Sequence, residues 1–335
     1  MVSHDLSRLS VLAGERQRVG TVALADALVE SALRHGVRSA ITLRGSEGYG
    51  RGRHRRSDRL LTLSEDLPLA WLAIAEPDRI DRLRGDVSNL GVHGLVTVER
   101  VRAAQSAPAV PVTGDVQLGV VVGRRDRASS RPAHEAVVAL LHERGVDGAT
   151  VLLGVDGIRR GRRQRARLRG SNAEVPVLVI AVGDAARIAS ALPELRALLD
   201  DPLITLQPVT IVKRDGRTLA PPRTGEADWT KLTVIVGGRA EHAGRPLAGE
   251  LVRALRGAGA PGATAVRGIW GFHGDHVPHG DVLWQLRRRV PTVVEVVDTT
   301  SRIGDWLAVL DGLTDETGLV TLSPVAACAP GPAVL

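Results

Sequence analysis

Three arginine-rich, glycine-rich segments are the first places in this 335-residue chain where side chains could do chemistry. Arg44, Arg51, Arg53, Arg55, Arg56 and Arg59 crowd the first. Arg159, Arg160, Arg162, Arg163, Arg165, Arg167 and Arg169 crowd the second, and Arg287, Arg288 and Arg289 close the third. Guanidinium forks match phosphate oxygens. The interspersed glycines are Gly45, Gly48, Gly50 and Gly52, then Gly154, Gly157 and Gly161, then Gly268, Gly271 and Gly274. Such glycines let backbone N–H groups curl around an anion and let a ligand come close. The other reading is solvated charge on loops that simply need turns. Neither a Gly-x-x-x-x-Gly-Lys-(Ser/Thr) loop nor a dinucleotide fingerprint is present; Gly48-Tyr-Gly-Arg-Gly52 does not qualify.

The chain's one Tyr and one Phe, Tyr49 and Phe272, occupy the same place in the first and third segments, and Ile158 stands there in the second. An apolar side chain at a fixed loop base can line a ligand cleft or stack on a base. It can equally be a packing anchor. His273, His276 and His279 form a His-x-x-His-x-x-His run, and imidazole clusters bind zinc, copper or nickel. With no cysteine to help and only His54 near this place elsewhere, no metal is expected there. Glu295 stands inside an apolar strand where the other segments have Leu72 and Ile180. A carboxylate so placed needs a partner or a raised pKa. Pairing with an arginine across an interface is one solution, and pointing to solvent at an edge is the other. Neither a nucleophile–base arrangement nor an acid pair repeats, so the chain is not expected to be an enzyme.

These segments belong to three tandem copies of one unit. Gly36–Gly45, Gly145–Gly154 and Gly259–Gly268 align without a gap, and Gly14, Gly123 and Gly237 lie at the same distance upstream. Pro68, Pro176 and Pro291 precede apolar runs, and Gly94-Leu-Val-Thr, Pro202-Leu-Ile-Thr and Gly318-Leu-Val-Thr close the copies. The period is that of a small domain and not of a solenoid repeat. Expected boundaries are 8–102, 116–213 and 230–327, with linkers at 103–115 and 214–229. Leu24, Leu28 and Ala32, with their counterparts, make one helix stripe. Gly36, Gly145 and Gly259 suit the left-handed residue that ends that helix. A second helix is expected from near Asp78, Asp184 or Thr299. The element order reads β-α-β-β-α-β, the split ferredoxin-like unit. Each unit would leave one apolar sheet face bare. The expected fold is therefore α+β: three ferredoxin-like domains closing into an intramolecular pseudo-trimer, with the bare faces inward.

Bulk composition narrows the class. The formal charge is +7 and 44% of residues are hydrophobic, enough for real cores. The lone Cys328 excludes an intrachain disulfide. No apolar run is long enough to span a membrane, and a cytoplasmic protein is expected.

The third copy carries a more specific pattern: Gly262-Ala-Thr-Ala-Val-Arg-Gly-Ile-Trp-Gly-Phe-His-Gly274, then Val290-Pro-Thr-Val-Val-Glu-Val-Val-Asp298. This resembles the PII-like uncharacterised family known as domain of unknown function 190. The first copy keeps Arg44-Gly-Ser-Glu-Gly-Tyr-Gly50, and the second keeps Gly148-Ala-Thr150 and Gly154-Val-Asp-Gly157. The resemblance implies small ligands, often adenine nucleotides, in clefts between subunits. It also implies a loop that touches a partner, often a membrane transporter or channel. It directs attention to Arg44, Gly45, Gly48, Tyr49, Gly50, Arg51, Arg267, Gly268, Gly271, Phe272, Gly274 and Glu295 as ligand-binding residues. The second copy is expected to be scaffold. A nucleic-acid-binding module is the alternative from charge, although its strands would be expected to carry paired aromatics. A metal-binding protein of the metal-tolerance type is a further one, resting on the histidine run.

Overall fold

Leu9 and Val11 alternate with Ser10 and Leu12 in strand Asp5–Gly14, and the strand has a core on each face. That period-2 pattern recurs in every copy and organises the computed structural model. It describes residues 5–50, 56–57, 66–104, 114–166, 175–221, 227–273, 277–280 and 290–330. In copy one, strand Asp5–Gly14 lies between Pro68–Ala75 and Gly94–Ala103, and Ser39–Arg44 pairs with the far side of Pro68–Ala75. All pairs are antiparallel. Copy two repeats this with Asp115–Gly123, Pro176–Asp184, Leu203–Arg214 and Gly148–Arg159. Copy three does so with Trp229–Val236, Thr292–Thr299, Leu319–Val325 and Ala263–Arg267.

Two helices cover one sheet face in each copy. They are α1 Leu24–Arg34 and α2 Pro77–Asn89, α3 Ala133–Glu143 and α4 Ala185–Leu198, then α5 Leu247–Ala258 and α6 Ile303–Asp311. Leu24, Leu28 and Ala32 form the buried stripe of α1, as their spacing predicts. Asp184 caps α4 by accepting from Ala186 N–H and Arg187 N–H. Gly259 ends α5 in the left-handed region at φ 93°. The α6 helix starts later than its sequence suggests, because Thr300–Arg302 first makes a 3₁₀ turn. Among the described residues, no helix is long and apolar enough to cross a membrane.

The expectation of three tandem ferredoxin-like domains forming a PII-like pseudo-trimer is corrected at this point. The copies are not separate domains. Their strands are hydrogen-bonded into one nineteen-stranded antiparallel sheet. The sheet closes on itself, because copy one pairs with copy two, two with three, and three with one. The physical reason is edge pairing. A four-stranded unit would leave two open edges, and closure removes them. Strand Gly148–Arg159 shows how: it runs past its own copy to pair with Ser39–Arg44, while its start pairs with Trp270–His273. The C-terminal strand Ala327–Pro330 likewise crosses to Gly94–Ala103. Inside the closed sheet lies one core drawn from all three copies, including Ile41, Leu43, Leu178, Ile180, Ile235 and Val293.

Candidate functional site

The two-step loop motif Gly-x-x-Gly-Φ (Gly45–Tyr49, Gly154–Ile158, Gly268–Phe272) decides how the copies join. In each copy its apolar residue enters the core of a neighbour. Tyr49 packs with Leu251 and Trp306 of copy three, opposite Ala263. Phe272 packs in the core of copy two, opposite Ala149 and edge-on to His142 at 4.9 Å. Ile158 packs in the core of copy one, opposite Ala40. The exchange is cyclic: one into three, three into two, two into one. Tyr49 and Phe272 are therefore packing anchors.

The shared glycines and prolines follow from the same contact. A Cβ on Gly48 would lie 2.5 Å from the carbonyl oxygen of Ala263 and 2.8 Å from Pro68. On Gly157 it would lie 2.2 Å from Ala40 oxygen and 2.7 Å from Pro176. On Gly271 it would lie 2.3 Å from Ala149 oxygen and 3.1 Å from Pro291. Each glycine is held between its own copy's proline and a neighbour's backbone, a space no side chain fits. Gly45 and Gly268 are crowded in the same way, by Pro68 and Pro291. Among the described residues, nothing crowds Gly50.

Beside each exchange the loop of one copy faces the first helix of the next. The three places differ. Between copies one and three a cleft of about 410 Å³ is open. Ser46 and Glu47 of copy one form one wall; Gly237, Gly238, the first turn of α5, Ala265 and Arg267 form the other. The α5 N-terminus has no side-chain cap, so this wall presents the positive end of a helix dipole. Among the described residues, a Cβ on Gly237 would meet nothing within 4 Å. Described side chains lie close to its counterparts. One on Gly14 would lie 2.2 Å from Asp66, which pairs with Arg56. One on Gly123 would lie 2.5 Å from Arg159, which pairs with Asp126.

The position of Glu47 also differs between copies. Its counterpart Asp156 is buried against Arg163 and, through Arg163, joined to Asp26 of copy one. The hydrogen bonds that Arg163 donates to Asp156, then to Asp26, raise its pKa above the ordinary value. The third counterpart, Trp270, packs against the copy-two core and lies under Gly280.

A second polar feature lies inside the closed sheet. Arg8 donates from Nε to Glu99 Oε2 at 3.1 Å and from Nη2 to Gln207 at 2.6 Å. Gln207 Nε2 donates to Glu99 Oε1 at 3.0 Å. Lys231 Nζ lies 2.7 Å from the same oxygen and 3.7 Å from Glu295 Oε1. Burial pushes the Glu99 carboxyl up, but the charges of Arg8 and Lys231 outweigh it and hold the pKa at about 2. Sequence reasoning passed over Arg8, Glu99 and Lys231. Their signal was a charged residue in each of three apolar strands.

The remaining expected residues are dispersed. Arg44 is exposed and pairs with Glu15 at 2.9 Å. Glu295 is partly buried, and its partner is Lys231 of its own copy rather than an arginine across an interface. His273 Nε2 pairs with Asp215 at 2.5 Å, while His279 Nδ1 lies 3.1 Å from the carbonyl of Val277. Among the described residues, no group of three His, Cys, Asp or Glu side chains could hold a metal ion. Arg51, Gly274 and His276 lie outside the described residues.

Comparison with known proteins matches one family model to each of the three copies. The chain belongs to the DUF190 family, described as uncharacterized ACR, which matches it three times, at residues 6–103, 115–211 and 229–327. A crystal structure of a candidate glycine cleavage system transcriptional repressor is 14% identical. The match covers 61% of this chain and 96% of that one at a TM-score of 0.21, too low to bear on fold or activity.

Proposed function

We propose that this chain is a non-enzymatic regulatory protein that binds a small anionic ligand, an adenine nucleotide in the leading case, between copies one and three. One observation carries the reading: a cleft of about 410 Å³ lies between the two copies, and among the described residues a Cβ on Gly237, in its lining, would meet nothing within 4 Å. That volume is within the range of small-molecule sites. The uncapped start of α5 and the Arg267 guanidinium supply groups that favour an anion. Glu47 and Glu241 on the lining leave room for a ligand with donor groups as well.

The same geometry supports regulation. Ser46 and Glu47 line the cleft, Tyr49 is anchored two residues on, and the arginine-rich segment from Arg51 follows. A ligand that prefers one setting of strand Glu47–Tyr49 biases the segment it leads into. That segment would then engage or release a partner, in this reading a membrane transporter or channel. Calorimetric titration with ATP tests the ligand. Saturable binding by the wild type, lost in Gly237→Phe with folding intact, is the expected result. Absence of ATP binding, or equal binding by the variant, would refute the reading.

A further inference from the structure

The place between copies one and two that corresponds to the open cleft has the opposite chemistry, and it is filled. We propose that it is a guanidinium-binding site filled by the chain's own Arg163, which acts as a tethered ligand. The inference stands apart from the reading of the open cleft, because it concerns a different pair of copies and a cationic group.

Internal comparison locates the site. Asp156 and Asp26 are the counterparts of Glu47 and Gly249, which both line the open cleft. One carboxylate therefore comes from each copy. Asp156 is buried, and its Oδ1 accepts from the Gly157 N–H at 2.8 Å, which fixes its plane. Asp26 lies in the first turn of α1. Arg163 Nε meets Asp156 Oδ1 and Oδ2 at 3.1 and 3.2 Å, and Nη2 bridges Asp156 and Asp26. This is fork recognition of a planar cation by two preset carboxylates.

The occupant is attached peripherally. Arg163 belongs to the short strand Arg162–Arg165, whose ladder partner is Asp156–Arg159 of the same hairpin. Asp26 sits on the first turn of a core helix, and the Asp156 stretch is also held on its other side by Ser39–Arg44. The two carboxylates of this slot are thus fixed by more partners than the arm Arg162–Arg165, whose one ladder among the described residues is with Asp156–Arg159. Arg165 stands at the rim of the slot, 3.0 Å from Asp26. When the arm lifts, the slot is left with two carboxylates suited to another guanidinium, such as an arginine side chain of a partner or a small guanidino compound. The arm and such a ligand compete, which makes the contact autoinhibitory.

Methylguanidinium chloride is the probe, with sodium chloride at equal ionic strength as control. Folded Arg163→Gly should gain several degrees in Tm, saturating in the millimolar range, while the wild type shows no gain over the salt control. Adding Asp26→Asn to Arg163→Gly should abolish the gain. A folded Arg163→Gly that gains nothing would overturn the proposal, as would an equal gain in the wild type or in the double variant. If Arg163→Gly does not fold alone, refolding is compared in the two salts, and Arg163→Gln is run beside it. Recovery of folded protein with methylguanidinium only supports the site; equal failure in both salts sinks it.

Discussion

Lys231 of copy three and Glu99 of copy one meet at 2.7 Å inside the closed sheet, with side chains 8% and 1% exposed. Each stands at a position whose counterparts are different: Arg8, Gln117 and Lys231 in one row, Glu99, Gln207 and Ser323 in the other. Three identical copies could not do this. They would repeat one side chain three times in each row, and every buried ion would need its own partner to avoid a cost of several kcal/mol. A fused chain can place two cations and a carboxylate there with an amide between them. Without Lys231, Glu99 keeps Arg8 and Gln207 but loses one charge-assisted hydrogen bond, so Lys231→Met should destabilise by about 1.5–3 kcal/mol. Equilibrium urea unfolding reads it; a loss under about 1 kcal/mol would show the pair to be incidental.

The same carboxylate sets an acid dependence. The folded-state pKa of Glu99 is about 2, below the ordinary 4.5. A depressed carboxylate contributes stability that is fully present above the unfolded value and is lost as pH falls through the folded one. Stability should fall between about pH 4.5 and pH 2, by about 3 kcal/mol from this group. Glu99→Gln should flatten that part of the profile. An unchanged slope between pH 5 and pH 3 would assign the acid sensitivity to other groups.

Glycine substitutions separate close approach from ligand contact. Gly48→Ala and Gly271→Ala put a methyl group within 2.5 Å of a neighbour's carbonyl oxygen. Each should cost about 1–3 kcal/mol through displaced backbone. Gly50→Ala meets nothing among the described residues and should leave the melting temperature almost unchanged. Equal effects at all three positions would contradict the packing account of this motif.

Much of this was legible before any coordinates. The helix stripe through Leu24, Leu28 and Ala32 and the left-handed Gly259 follow from local rules, and the repeats follow from their aligned glycines. What the strands Glu47–Tyr49 and Trp270–His273 pair with was not legible. A three- or four-residue strand has no pattern that names its partner, and tertiary closure chooses it. For this reason Tyr49 and Phe272 could be read as ligand contacts when they are anchors, and three separate units could be expected where one sheet closes. The chain's two lysines each stand in a mostly apolar strand, where a single strand does not name the partner of a charge. Both are buried: Lys231 on Glu99, and Lys213 between Asp311 and Asp315 at 2.7 and 2.8 Å.

Phe272 tests the cyclic exchange directly. It belongs to copy three by sequence but to copy two by packing, fully buried among residues such as Val138 and Leu141. Phe272→Ala should cost about 3–5 kcal/mol. Hydrogen exchange should show the loss first in α3 and strand Gly148–Arg159, not in α5 of its own copy. The reason is that a cavity weakens the elements that line it. Protection lost chiefly from α5 and α6 would mean that each copy completes its own core, and the order of joining argued from Tyr49, Ile158 and Phe272 would fail.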